Sequence, residues 1–376
     1  MKKVLSAMLC FLGATTNISG QKNGTKPLTD LLQPQYWVFE PGAAAFSGTG
    51  AQAAMTIMEN GKVIRLKDLA FTNGVIEYDV QLQERGFASI YFRMKDLQET
   101  ECFYLRGGRA GNPVAMDAVQ YAPFLKGVNL WDLLPQYQAA ADLYPDRSNH
   151  IKLVISGKKM QAYVNDRQQP VLQVPQLEGN TGTGTIAFDG KVTIRNLKIR
   201  KEDTEGLTPE AGMDITMNDP RYLRKWMASK PVDFAAGRDI TIKNLPDSME
   251  QWQSVAAERG GLVNLTRSFG GGQFLNRQLI WLKVVLMAQG AQRQIMDLGF
   301  SDEVWVFLNG KMVYVDKNLY PEGLRKKPDG RLSIENASFL LPLQAGNNEL
   351  LIGIANNFYG WGIIARLESM DGITIK

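Results

Sequence analysis

The sequence predicts an all-β protein built as two antiparallel β-sandwich (jelly-roll) domains in tandem. Three observations predict it. Short stretches in which apolar and polar residues alternate at period two recur along the chain, as half-buried strands require. Turn dipeptides punctuate those stretches, Asp189-Gly190 and Asn309-Gly310 among them. No long segment carries a 3.6-residue period that would compete as a helix. The length of 376 residues exceeds what a single core serves, roughly 250–300 residues. A content of 44% hydrophobic and 21% charged residues is ordinary for a globular chain.

Taken in order, the first element is a targeting segment. Lys2 and Lys3 precede an apolar run from Val4 to Ala14, and small and polar residues follow to Gly20. That is the pattern of a secretory signal peptide, placed at 1–20. The run is shorter than the about 20 apolar residues a bilayer span needs, and no later stretch qualifies. The expectation is a periplasmic or secreted protein with no membrane insertion after signal cleavage. Cys10 lies inside the run behind Leu9, where a lipid-anchoring signal wants a small residue, so it is expected to leave with the segment.

The first sandwich is placed at 36–200. From Gly74 to Leu82, Val75, Glu77 and Asp79 alternate with Ile76, Tyr78 and Val80. From Phe87 to Met94, Ala88, Ile90 and Phe92 alternate with Ser89, Tyr91 and Arg93. From Glu101 to Arg106, Glu101, Phe103 and Leu105 oppose Cys102, Tyr104 and Arg106. Ile151 to Ile155 and Lys159 to Val164 predict a hairpin around Ser156-Gly157-Lys158. Gly184 to Phe188 and Val192 to Ile199 follow, split by Asp189-Gly190. Residues 201–212 (KEDTEGLTPEAG) have the charged, Pro- and Gly-bearing composition of a linker.

The second sandwich is placed at 213–376. It opens with an expected short helix: Asp219 as N-cap, Pro220 in the first turn, then Tyr222, Leu223 and Trp226 on one face. Strands resume at Gln278 to Ala288. Glu303 to Val315 reads as a hairpin turning at Asn309-Gly310, and Glu349 to Ala355 and Gly362 to Glu368 close the unit.

Composition excludes much chemistry. The 42 basic and 38 acidic residues, net +4, are too evenly balanced for a nucleic-acid partner, and two of those positive charges are Lys2 and Lys3. One histidine, His150, and two cysteines, Cys10 and Cys102, cannot build a Cys/His zinc cage or a disulfide framework. Asp189 and Asp316 lie in turn regions, but no Asp-rich loop has calcium-binding spacing. Gly270-Gly271-Gly272 is not followed by the Lys-Ser/Thr of a phosphate loop. No metal and no cofactor are expected.

The candidate binding residues sit on the polar sides of the first-half strands. Tyr91 and Arg93 share one strand face, Tyr104 and Arg106 another, and Gln120 points away from its apolar neighbours Val119 and Tyr121. Trp131 and Tyr137 follow in loop-like sequence. In the second half, Asn356, Tyr359 and Trp361 cluster with Asn357 and Phe358 in a Gly-bearing stretch. Aromatic rings stack on the C–H faces of sugars, and planar polar side chains bond their vicinal hydroxyls. The set therefore predicts an oligo- or polysaccharide partner, against the plainer reading of a solvated sheet face.

The catalytic candidates are weaker. Glu77 and Asp79 share a strand face at roughly 6.5–7 Å, within the roughly 6.5–9.5 Å separation of inverting glycosidases. Glu101 is a third carboxylate, on the face of Phe103 and Leu105. His150 has no local base or nucleophile beside it and is read as structural. Cys102 is read as a buried, inert thiol.

Several runs carry a resemblance. They are NGVIEYDV (73–80), FASIYFRM (87–94), ECFYLR (101–106), AVQYAP (118–123), Trp131, NHIKLVISGKKMQAYVND (149–166) and GTIAFDG (184–190). With these, the first half resembles the concanavalin A-like, laminin-G-type sandwich, especially that of the secreted bacterial 3-keto-disaccharide hydrolase-like family. The second half is similar to the galactose-binding-like jelly roll, through SDEVWVFLNGKMVYV (301–315) and NNELLIGIANNFYGWG (347–362). The resemblance implies exported glycan biology, with ligand residues on the concave sheet. The Glu-x-Asp-x-x-Glu order of laminarinase-type relatives is not completed here, since Gln81 and Leu82 follow Asp79. The expected function is an exported carbohydrate-binding protein using the concave face of the first sandwich. The alternatives are a carboxylate-based glycoside hydrolase acting on a plain or 3-keto disaccharide, and a structural envelope interaction module.

Overall fold

Alternation places the apolar half of each strand on one side, and pairs of sheets close over those sides. The computed structural model describes residues 26–165, 168–247, 249–271, 277–320 and 323–376. The expected signal peptide at 1–20, with Cys10, lies outside the described residues. In the first sandwich one seven-stranded sheet runs Trp37–Val38, Ile64–Leu66, Thr185–Asp189, Phe87–Met94, Glu101–Arg106, Val119–Tyr121, Gln138–Ala139. The facing seven-stranded sheet runs Leu172–Val174, Lys159–Val164, Asn149–Ser156, Gly74–Leu82, Val192–Lys201, Ala54–Ile57, Ala44–Ser47. Ile76, Tyr78 and Val80 from one sheet and Ile90, Phe92, Phe103 and Leu105 from the other fill the shared core.

The second sandwich packs an eight-stranded sheet, centred on Gln278–Ala288 and Gly346–Asn356, against a four-stranded one. The latter runs Leu262–Asn264, Gly362–Leu367, Gln292–Ser301, Ala337–Leu343. Trp226, Phe300, Val306, Ile352 and Trp361 belong to its core. The strands of both sandwiches pair antiparallel. Among the described residues the single α-helix is Leu265–Phe269, with Asn264 accepting from the Arg267 N–H at its start.

Turn chemistry set the hairpins where expected. Asn309 (φ 51°) and Gly310 (φ 77°) both take left-handed backbone and join Glu303–Leu308 to Lys311–Lys317. Ser156 pairs with Lys159 across Gly157 (φ 52°). The Asp189-Gly190 turn instead carries the chain from one sheet of the first sandwich to the other, since Thr185–Asp189 and Val192–Lys201 lie in different sheets.

The helix expected from Asp219 to Trp226 is not formed. The Asp219 carboxylate accepts from the Arg221 N–H and guanidinium, closing an Asx turn. The Leu223 N–H then donates to the Ala365 carbonyl, and Lys225–Ala228 is a strand. Pairing with the sheet satisfies this backbone and buries Leu223 and Trp226 in the second core, which a free-standing short helix could not do.

Candidate functional site

The outward face of the sheet holding Phe87–Met94 and Glu101–Arg106 is the floor of a cleft of about 470 Å³. Cross-strand register builds that floor. Asp189 stands opposite Ser89 and Ser89 opposite Tyr104, while Tyr91 stands opposite Cys102 and Tyr104 opposite Gln120. These residues face outward because their sequence neighbours Ile90, Phe103 and Leu105 face the core.

A buried polar net stiffens the floor. The Tyr104 hydroxyl donates to Gln120 Oε1 at 2.9 Å, and Arg106 donates to the same oxygen at 2.6 Å. Arg106 also donates to the Asp117 carbonyl at 2.7 Å, and Gln120 Nε2 donates to the Trp131 carbonyl at 2.8 Å. Gln120 is thus held at both its amide oxygen and its amide nitrogen, and it positions the residues that line the cleft. Asp189 closes the far end, accepting from the Gly61 N–H at 2.7 Å and from the Tyr91 hydroxyl at 3.4 Å. Burial raises the Tyr91, Tyr104 and Cys102 acids above their ordinary values, so all three stay protonated.

The walls are aromatic and come from both sandwiches. Phe87, 56% exposed, meets Tyr104 edge-on at 5.5 Å. Tyr91 meets Phe124 at 5.7 Å. Opposite, Trp131 packs edge-on with Tyr320 at 4.6 Å and with Tyr359 at 5.8 Å, and Tyr320 stacks on Phe358. Two buried aspartates hold the second-sandwich loop in place. Asp302 accepts from the Asn357 and Phe358 N–H groups at 2.6 and 2.7 Å, and Asp132, from the first sandwich, accepts from the Gly360 N–H at 3.1 Å. Burial pushes the Asp302 carboxyl up to about 7, and burial together with Asp302 raises Asp132 well above the carboxylate range.

Of the residues singled out by sequence, Tyr91, Tyr104, Arg106, Trp131 and Tyr359 line this cleft, with Gln120 beneath them. Four others do not. Arg93 takes left-handed backbone (φ 49°) at a bulge opposite Thr185 and Ala187. The extra residue inverts the alternation, so Met94 joins the cleft-side cluster and Arg93 donates instead to the Thr72 carbonyl and Asn73 Oδ1. Tyr137 is buried in the first core, where its hydroxyl donates to Glu178 at 2.8 Å. Trp361 is buried in the second core with its indole N–H on the Gly270 carbonyl at 2.6 Å. Asn356 is fully buried, and both its amide atoms lack a hydrogen-bond partner.

The catalytic candidates lie elsewhere. Glu77 and Asp79 are on the outer face of the opposite sheet, where they clasp His150: Nδ1 lies 2.6 Å from Asp79 and Nε2 lies 3.2 Å from Glu77. His150 has no partner nearby in sequence, as read, and its carboxylate neighbours arrive through strand pairing. Register brings Asp79 directly opposite it from a strand about seventy residues away, which local spacing does not reveal. Glu101 is buried in the first core, accepting from the Tyr121 hydroxyl at 2.6 Å, and burial pushes its carboxyl up to about 7.

Phe87, Ser89, Phe124, Asn129, Asp189, Tyr320 and Phe358 also line the cleft and were not among the chosen binding residues. The alternation of Phe87–Met94 marks Ser89 as outward. Nothing local marks Tyr320, which reaches the cleft only through tertiary packing.

No family model and no curated protein matches this chain. Among solved structures it is similar to the carbohydrate-binding module CBM66 from Bacillus subtilis, at 14% identity over 44% of this chain and 95% of that one, TM-score 0.33. It is similar to a protein from Parabacteroides distasonis proposed to be a glycosyl hydrolase, at 15% identity over 47% of this chain and 100% of that one, TM-score 0.34. It is also similar to the galectin LEC-6 from Caenorhabditis elegans, at 13% identity over 44% of this chain and 97% of that one, TM-score 0.28.

Proposed function

We propose that this is an exported carbohydrate-binding protein whose ligand lies in the cleft between the first sandwich's outward sheet face and the Tyr320 and Phe358-Tyr359 loops. One observation carries the reading: aromatic walls, exposed at Phe87, Tyr320 and Tyr359, surround a floor of fixed hydroxyl, guanidinium and carboxylate groups. That combination suits a ring with apolar C–H faces and a polar rim. The signal-like residues 1–20 support export. The hydrolase alternative has less support, because Asp189 is the one carboxylate among the lining residues and two-carboxylate hydrolysis needs a facing pair. The spacer alternative predicts a groove filled by its own side chains, and this one is open.

Calorimetric titration of the full chain against a panel of neutral and acidic oligosaccharides tests the reading. Binding to at least one glycan class is expected, weakened about tenfold or more, or about 1.4 kcal/mol, by Tyr104→Ala or Trp131→Ala. Wild-type protein that binds none of the panel refutes it, as does binding that ignores both substitutions.

A further inference from the structure

Among the described residues, the charges at one end of the cleft do not balance. Three guanidinium groups, those of Arg106, Arg109 and Arg331, converge on the single carboxylate of Asp117 at 4.0, 2.8 and 3.8 Å. Arg109 makes the close contact and donates to it at 3.0 Å. Arg106, which lines the cleft, has only neutral oxygens within hydrogen-bond reach: the Asp117 carbonyl, Gln120 Oε1 and the Tyr104 hydroxyl.

Arg331 is the more unusual of the three. Its side chain is 5% exposed, and its Nε is buried with no hydrogen-bond partner. Its remaining carboxylate neighbour, Asp329, stands 3.7 Å away and is 66% exposed, so water screens that contact. The guanidinium carbon lies 5.3 Å from the ring centroid of Trp131, a cleft wall. Burial, joined by repulsion from Arg106, lowers the Arg331 value, while Asp117 and Asp329 oppose the shift. Asp132, the other acid close to Tyr104, is raised by burial toward its neutral form and supplies little compensating charge. A buried guanidinium whose anions stand no closer than 3.7 Å is poorly compensated, and a second guanidinium beside it makes it more so. Asp189 at the opposite end repels an anion there, which leaves the arginine end as the place for one.

We infer that the cleft takes an acidic glycan, one bearing a hexuronate carboxylate that lies against Arg106, with the buried Arg331 adding positive charge from beside Trp131, while its hydroxyls face Asp189. This rests on the carbohydrate reading above and deepens it. Guanidinium and carboxylate match as planar, bidentate partners, and the ligand would give Arg106 an anion closer than Asp117, which stands at 4.0 Å.

The test is calorimetric titration of the full chain with matched probes: oligogalacturonate and oligomannuronate, each against its methyl ester, at about 20 and about 200 mM salt. The acid is expected to bind at least about tenfold more tightly than its ester, with the advantage shrinking at higher salt. The acid-to-ester ratio should fall toward one in Arg331→Gln. Because Arg331 also touches the seam between sandwiches, Arg106→Lys is measured alongside. It keeps the charge and removes the planar fork, and it should lower the acid-to-ester ratio, which a loss of stability alone leaves unchanged because both probes share the site. Equal affinity of acid and ester for the wild type overturns the inference and leaves the carbohydrate reading standing. So does binding of neutral glycans with no uronate binding. Binding of no member of either panel overturns both.

Discussion

His150 shows what a single residue contributes once the sheet has placed it. The hydrogen bond to Asp79 raises its value, and the same bond lowers that of Asp79. The signs bound a window. The histidine's contribution is complete below its unfolded value near 6.5 and is lost as pH rises through its higher folded value. The aspartate's contribution is complete above its unfolded value near 3.8 and is lost as pH falls through its lower folded value. His150→Gln should therefore lower the melting temperature most between about pH 4 and 6.5, by an amount equivalent to about 0.2–1 kcal/mol for a half-exposed pair. Thermal melts of both proteins from pH 4 to 9 check this, and a gap widest at pH 9 refutes it. At this scale the sequence was legible where side-chain direction follows from alternation, as for Tyr91, Tyr104 and Arg106. It was not legible for Arg93, whose direction is set by a bulge, nor for Tyr137 and Trp361. A loop aromatic carries no local sign of whether it turns inward or toward solvent.

Elements were legible in proportion to how local their cause is. The Asn309-Gly310 hairpin needs only two residues that tolerate left-handed backbone. The Asp219–Trp226 segment needed knowledge of a sheet more than a hundred residues downstream, and its apolar spacing suits either outcome. The Asp189-Gly190 crossover lies between, because the turn was visible and the change of sheet was not. Gly190 has φ 117°, and a Cβ there would stand 2.1 Å from the Phe87 carbonyl. Gly190→Ala should destabilise by more than about 1 kcal/mol and disturb the strand start that carries Phe87 on the cleft rim. Denaturant unfolding together with glycan titration measures both effects. The buried Arg277–Glu303 pair makes two parallel bonds of 2.7 Å each. Glu303→Gln should cost about 3–5 kcal/mol of stability, read by denaturant unfolding.

At the scale of the whole molecule, buried acids give the fold a common pH response. Glu101 and Asp302, one in each sandwich, are both pushed by burial up to about 7. The folded protein therefore holds more protons than the unfolded chain between their unfolded values, near 4, and about 7, and stability falls as pH rises across that interval. The double variant Glu101→Gln, Asp302→Asn should flatten the fall, and a melting profile as steep as the wild type's would contradict this. Fold class was legible at this scale because period-two alternation is a property of the whole chain. The cleft was legible in its first-sandwich half and at Tyr359, but not in how the meeting of the two sandwiches builds the other wall.

That shared wall has a mechanical consequence. Trp131 belongs to one sandwich and Tyr320, Phe358 and Tyr359 to the other, so a sugar bound there as proposed would act as a rivet through a joint. At a concentration one hundred times its dissociation constant, a ligand adds about 2.7 kcal/mol to the bound state. Here that energy would resist pulling the halves apart. Stretched between its ends, the protein would yield at a higher force when loaded than when empty, making the joint a gauge of glycan occupancy.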